Sequence, residues 1–134
     1  MLPEPISPDT RAHGVLVADD DPAVRTVVHT ALGQHGFAVW QAADGREALE
    51  IFRRHCECID VVLLDVCMPN LDGPQTLAAL RELNTQVRCC FMTGGSDDYT
   101  EQGLHHLGAE AVFLKPFRLP EVARVLRDVA QRCA

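Results

Sequence analysis

Three consecutive aspartates, Asp19-Asp20-Asp21, follow the apolar run Val15-Leu16-Val17-Ala18, and a fourth, Asp65, follows Val61-Val62-Leu63-Leu64. Two further apolar runs end in a residue with chemistry to offer. Cys89-Cys90-Phe91-Met92 stops at Thr93, and Ala111-Val112-Phe113-Leu114 stops at Lys115. Lys115 is the single lysine; the other eleven of the twelve Lys and Arg residues are arginine. Carboxylates gathered in one place repel one another, so the group calls for a cation. All-oxygen ligands suit Mg2+, which takes one or two carboxylates and keeps several waters. Such an ion spares one carboxylate to act as nucleophile, a role aspartate fills in phosphoryl transfer. That reaction asks for little beyond alignment and neutralisation of the equatorial oxygens. Mg2+, the Lys115 ammonium and the Thr93 hydroxyl can supply both, so the chemistry points to an aspartyl phosphate on Asp65.

The elements that must position these residues follow from the same runs. Short continuous apolar stretches are the pattern of parallel strands buried on both faces. Open parallel sheets bind ligands outside the carboxyl ends of their strands, which is where these polar residues fall. Asp21-Pro22 opens a helix carrying Val24, Val27, Val28, Ala31 and Leu32 at helical spacing, up to Gly33 and Gly36. Phe37-Ala38-Val39-Trp40 reads as a strand, and Asp44-Gly45-Arg46-Glu47 has the form of a capping box. Ala48, Leu49, Ile51 and Phe52 form the inner face of the helix it starts. After Asp65 comes the turn-rich Met68-Pro69-Asn70-Leu71-Asp72-Gly73, then a helix through Leu77, Leu80 and Leu83. A strand is expected from Val87 to Met92, a loop at Gly94-Gly95-Ser96, and a polar, weakly periodic helix from Asp97 to Leu107 that Gly108 ends. The last helix turns Leu119, Val122, Leu126 and Val129 inward. Five strands alternating with five helices define an α/β fold, a doubly wound parallel sheet with helices on both faces.

Bulk properties narrow the function. A chain of 134 residues that is 47% hydrophobic suits one domain with one core. A formal charge of -7 argues against general nucleic-acid binding, whose footprint is basic, and no apolar stretch has the length of a membrane span. The start of the chain lacks the regions of a signal peptide. Residues 1–13, with Pro3, Pro5 and Pro8, read as an extended, flexible leader before a single domain over 14–134. Cys67, Cys89 and Cys90 lie in or beside expected buried strands, where cysteine acts as a small hydrophobe. Cys56-Glu57-Cys58 has no second Cys/His pair at a zinc-like spacing. A reduced, cytoplasmic protein is the expectation.

Four segments taken together resemble the receiver domains of two-component response regulators. They are Val15-Leu16-Val17-Ala18-Asp19-Asp20-Asp21-Pro22, Leu64-Asp65-Val66-Cys67-Met68-Pro69-Asn70-Leu71-Asp72-Gly73, Met92-Thr93-Gly94 and Leu114-Lys115-Pro116-Phe117. The resemblance spans about residues 14 to 131 and implies a flavodoxin-like fold with strand order 2-1-3-4-5. It implies that Asp65 accepts a phosphoryl group from a phosphohistidine of a sensor histidine kinase or histidine phosphotransfer protein. Asp20 and Asp65 would bind Mg2+ directly with the backbone carbonyl of Cys67, and Asp19 through a metal-bound water. Lys115 would pair with Asp65 or its phosphate, and Thr93 would hydrogen-bond a phosphate oxygen. Thr93 would then move inward and shift the surface of the fourth helix, fifth strand and fifth helix, where an unspecified protein partner docks. A cis Lys115-Pro116 peptide is implied as well. The chain departs from the family at Val112, three residues before the lysine, where receivers commonly carry an aromatic ring that rotates inward. Phe113 lies one residue later, and a one-residue offset in a strand points to the other face.

Plainer roles account for several other residues. Asp21 before Pro22 caps its helix, Asp60 starts its strand, and Asp97 or Asp98 caps the helix that follows. His105-His106 read as surface histidines, since adjacent helical residues do not share a face. Arg124, Arg127 and Arg132 complement the dipole of the final helix as a solvated face. Gly94-Gly95 is room beside the phosphate rather than a phosphate loop, because no G-x-x-x-x-G-K-[ST] is present. The first functional expectation is a signalling switch, a receiver carrying no output domain of its own and no direct affinity for DNA or membrane. A phosphatase resembling the haloacid dehalogenase group would need a second aspartate two residues after the nucleophile, where Cys67 stands instead. A receiver-like scaffold without a working switch is the remaining alternative, with Val112 in its favour.

Overall fold

The computed structural model describes residues 12–95 and 99–132. The expected leader at 1–13 falls almost entirely outside the described residues, as do Asp97 and Asp98. The strands are β1 (Gly14–Ala18), β2 (Ala38–Ala42), β3 (Val61–Asp65), β4 (Cys89–Thr93) and β5 (Ala111–Leu114). The helices are α1 (Pro22–Gln34), α2 (Gly45–His55), α3 (Gly73–Leu83), α4 (Glu101–His106) and α5 (Leu119–Gln131). A short 3-10 turn at Cys56–Cys58 follows α2. All four strand pairings are parallel, and the order is β2-β1-β3-β4-β5.

Every residue of β1, β3 and β4 is buried, as continuous apolar runs require. Side chains alternate across the sheet, which splits the core into two layers. Val15, Val17, Val61, Leu63, Cys90, Met92 and Phe113 face α1 and α5, meeting Val28, Leu32, Val122, Leu126 and Val129. Leu16, Ala18, Val62, Leu64, Cys89 and Phe91 face the other way, toward Phe52, Leu77, Leu80 and Leu104 of α2, α3 and α4. Val112 packs half-buried against this second layer. Phe113 lies in the first, edge-on to Phe117 with 6.4 Å between ring centroids. The one-residue offset does place the ring on the opposite face from Val112.

The helix starts carry their own chemistry. Asp21 caps α1 by accepting from the Ala23 N–H at 2.9 Å. Asp44 caps α2 through the Glu47 N–H at 2.8 Å. A reciprocal capping box stands at α3, between Asp72 and Gln75. Asp60 precedes β3 and accepts from the Gly14 N–H at 2.8 Å, bolting β1 to the β3 entry. Gly108, at φ +98°, closes α4 in a conformation that favours glycine.

Four expectations need correction. The helix expected over 97–107 is the six-residue α4, which starts at Glu101 because the Thr100 hydroxyl caps it through the Gly103 N–H at 2.9 Å. The strand expected from Val87 is β4, starting at Cys89, and β2 runs on to Ala42. Cys67 is exposed rather than packed with the strands, because it lies beyond the last residue of β3. Arg127 and Arg132 do more than solvate α5. Arg127 donates to the His35 carbonyl and lies 5.6 Å from the centre of the Phe37 ring, while Arg132 pairs with Glu110 at 3.6 Å.

Gly73 brings the start of α3 close against the backbone of Asp65. A Cβ there would lie 2.6 Å from the Asp65 carbonyl oxygen and 3.0 Å from Val66 Cα, both backbone atoms that cannot yield. Gly73→Ala is therefore expected to lower stability by about 1–3 kcal/mol, the usual cost of overpacking. The check is a lower urea midpoint at unchanged slope.

Candidate functional site

Strand register brings the polar residues together. Ala18 pairs with Leu64, so Asp19 and Asp65 follow side by side. Asp65 pairs with Met92 and Thr93 with Leu114, which carries Thr93 and Lys115 to the same edge. Alternation puts Asp19, Asp65 and Lys115 in register with the α1/α5 layer, whereas Thr93 shares the parity of Phe91, on the opposite face. The Lys115–Pro116 peptide is cis, as the resemblance implies.

Asp19 is 0% exposed and Asp65 5%, so neither carboxylate can lean on bulk water. Asp19 is satisfied from two sides. Its Oδ1 accepts from the Asp21 N–H at 2.9 Å, and its Oδ2 accepts from Lys115 Nζ at 3.1 Å. Lys115 Nζ also lies 3.4 Å from Asp65 Oδ2. The sequence reading pairs the lysine with Asp65 alone; in the fold it bridges both acids and sits nearer Asp19. Arg25 holds the adjoining backbone by donating to the Asp19 carbonyl at 2.7 Å. Asp20 is exposed. Thr93 is buried, and its Oγ1 accepts from the Gly95 N–H at 3.1 Å.

Asp19, Asp20 and Asp65 place carboxylate oxygens within 4.8 Å of one another. Lys115 is the one cation bonded to this group among the described residues, so negative charge is in excess. The excess is visible in Asp65. Burial pushes its pKa up and the Asp19 charge pushes it further, while Lys115 only partly opposes them, leaving it at about 6. Burial also works against the Lys115 charge, but the hydrogen bond to Asp19 and the field of both acids outweigh it and hold the ammonium more firmly protonated than usual. An all-oxygen, net-negative, partly buried donor set fits a hard divalent cation.

Beside the acids lies a cleft of about 390 Å³ whose walls include Asp20, Cys67, Met68, Asp72 and Tyr99. Asp72 and Tyr99 escaped the sequence reading as site residues. The D-x-x-Q cap at Asp72 was a legible signal for the first, but nothing local marks the chain's single tyrosine. Cys89 and Cys90 are buried in β4, as expected. Burial drives the Cys90 thiol up to about 12 and raises Cys89 as well, so both behave as small apolar groups. The described cysteines are all free. His105 and His106 are exposed, with His105 Nδ1 3.2 Å from the Ala109 carbonyl. No helix among the described residues is long and apolar enough to cross a membrane.

The site is thus a strand-end carboxylate flanked by two acids, a lysine and a threonine at one edge of a 2-1-3-4-5 parallel sheet. The sequence matches the response regulator receiver domain family over residues 15–127, and the chain belongs to that family. It is 33% identical over 118 residues to the sensor kinase CckA of Brucella abortus, covering 88% of this chain but 12% of that protein. It is 32% identical over 108 residues to the sporulation initiation phosphotransferase F of Bacillus subtilis, covering 81% of this chain and 86% of that one. Among solved structures, the crystal structure of the CheX-CheY-BeF3-Mg+2 complex from Borrelia burgdorferi contains a similar chain. That chain matches with a TM-score of 0.81 at 26% identity, covering 90% of each chain.

The raised Asp65 pKa sets a pH dependence. With a folded value of about 6 against 3.8 for the free carboxyl, the native state binds more protons than the unfolded chain between those values. Stability of the metal-free protein is therefore expected to fall as pH rises through that window. Carbon NMR of the Asp65 carboxyl should give a midpoint near 6 that drops toward 3.8 in Asp19→Asn. A midpoint unmoved by that substitution would show that the Asp19 charge is not a cause.

Proposed function

We propose that this domain takes a phosphoryl group onto Asp65 in a Mg2+-dependent reaction, from the phosphohistidine of a cytoplasmic sensor kinase or histidine phosphotransfer protein. One observation carries the reading: Asp65 is the buried strand-end carboxylate flanked by Asp19 and by Lys115, 3.4 Å away. A carboxylate oxygen of Asp65 attacks phosphorus as the P–N bond breaks, and the departing imidazole nitrogen keeps the electron pair. The product is a mixed anhydride. Lys115 supplies a cation to the new phosphoryl oxygens. The Thr93 hydroxyl, whose oxygen accepts from the Gly95 N–H, would turn to donate a hydrogen bond to one of them. Asp20, Asp65 and the Cys67 carbonyl would hold the ion, with Asp19 acting through a bound water. Mg2+ there supplies charge neutralisation that the single lysine leaves incomplete.

The domain acts as a switch and turns over no external substrate. Cys67 stands where a phosphatase of the haloacid dehalogenase type would need its general acid. The change at Thr93 passes to the surface through Gly94 and Gly95, which follow the phosphate at little steric cost. Val112, with no ring to rotate, leaves that route to carry the signal alone. The coupling is expected to be weak, on the order of 1 kcal/mol.

Incubation with acetyl phosphate and Mg2+ is expected to add one base-labile phosphoryl group, found by mass spectrometry and lost in Asp65→Asn. Persistence of the adduct in that variant would sink the assignment. Asp20→Ala should weaken Mg2+ binding in calorimetry far more than Asp21→Ala, because Asp21 serves the α1 cap. Amide NMR during a beryllofluoride titration tests the switch. Shifts reaching α4 (Glu101–His106) are expected; shifts confined to the neighbours of Asp65 would leave a scaffold with an unconnected phosphorylation site.

A further inference from the structure

Two residues on the cleft beside Asp20 have no part in the steps above. Tyr99 Oη donates to Asp72 Oδ2 at 2.9 Å. The other carboxylate oxygen of Asp72 accepts from the Gln75 N–H at 2.8 Å, and Gln75 Oε1 accepts from the Asp72 N–H at 3.0 Å. The Asp72 carbonyl accepts from the Thr76 hydroxyl at 2.7 Å and from the Thr76 N–H at 2.9 Å. Each polar atom of Asp72 is therefore engaged. One residue on, the Gly73 N–H donates to the Val66 carbonyl at 2.9 Å, closing a loop over residues 67–71. Its near end is fixed by the Val66 N–H, which donates to the Met92 carbonyl at 2.9 Å. Its far end is fixed by Asp72.

That loop presents the Cys67 carbonyl, the one backbone oxygen assigned to the metal. It also holds Asn70 at φ +71°, in the left-handed region that asparagine adopts more readily than most side chains. Tyr99 supplies restraint from a different element, since it lies between β4 and α4, and its ring packs against the core layer that contains Met68. A hydrogen bond to an ionised acceptor is among the stronger kinds, and groups that orient a ligand matter to a metal almost as much as the ligand does.

We propose that Tyr99 is a positioning residue for phosphoryl transfer. By holding Asp72 through its hydroxyl, it keeps the 67–71 loop in the shape that turns the Cys67 carbonyl toward the divalent cation. The assignment rests on the metal reading given above and extends it to a residue outside the acid cluster.

The test is a calorimetric Mg2+ titration of the full chain as wild type, Tyr99→Phe and Asp72→Asn, with thermal unfolding recorded in the absence of metal. Tyr99→Phe keeps the packed ring and removes only the donor. Its Mg2+ dissociation constant is expected to rise roughly three- to tenfold, less than for partners that touch a ligand directly, with Asp72→Asn moving the same way. At saturating Mg2+ the acetyl phosphate labelling rate of Tyr99→Phe should return to the wild-type value, while the Mg2+ concentration for half-maximal rate rises in step. The Met68 amide, which reports on the Cys67 carbonyl, should shift in metal-free Tyr99→Phe. A merely structural tyrosine would lower the unfolding midpoint and leave the Mg2+ constant alone. An unchanged or tighter constant in Tyr99→Phe, with the wild type binding normally, overturns the proposal. A wild type that binds no Mg2+ overturns the metal reading and this assignment with it.

Discussion

Two carboxylates buried side by side at one sheet edge, with one lysine between them, are the constraint on which the rest of this structure depends. Burial of a charge is tolerated only when it is paired and hydrogen-bonded. Asp19 meets that condition through Lys115 and the Asp21 N–H. Asp65 meets it incompletely, and its pKa of about 6 records the deficit. The site is thus poised one cation short. The same excess of negative charge makes a divalent cation welcome at this edge.

Meeting this constraint takes contributions from most of the chain. The parallel pairings of β1, β3, β4 and β5 bring residues far apart in sequence to one edge, Lys115 and Asp19 being separated by 96 positions. Crossover helices cover both faces, so β1, β3 and β4 are dry along their length. The start of α3 closes on the back of Asp65, where Gly73 leaves no room for a side chain. At the opposite edge, Arg88 and Arg132 both reach Glu110, and Arg127 reaches His35. Exposed ion pairs of this kind contribute little stability singly; their effect is to hold the end of α5 against the sheet, away from the site.

Alternation along the strands also separates Asp65 from Thr93. Asp65 and Lys115 share the parity of the α1/α5 layer, and Thr93 that of the layer beneath α3 and α4. Thr93 and the Gly94-Gly95 backbone after it are where the acid cluster meets the second face. On that face Val112 is half-buried among the core residues of α4 and β4, and Leu114 is 53% exposed. Tyr99, tied to Asp72 across the cleft, links that loop region to the metal side of the site.

Much of this was legible in the chain itself. Apolar runs ending in Asp19, Asp65, Thr93 and Lys115 gave the strands and the edge where chemistry would gather, because the side-chain period of a parallel strand and the rule for ligands at strand ends are local in sequence. The Asp21 and Asp44 caps were legible for the same reason. Weakly periodic or unmarked segments were not. The start of α4 is set by the Thr100 hydroxyl, and Cys67 is exposed because β3 ends two residues before it. Three features were decided by tertiary structure alone: the lysine bridging both acids, the elevated Asp65 pKa, and the Tyr99–Asp72 bond. Each is a distance between groups on different elements, and such distances exist only once the strands are in register and the charges have lost their water.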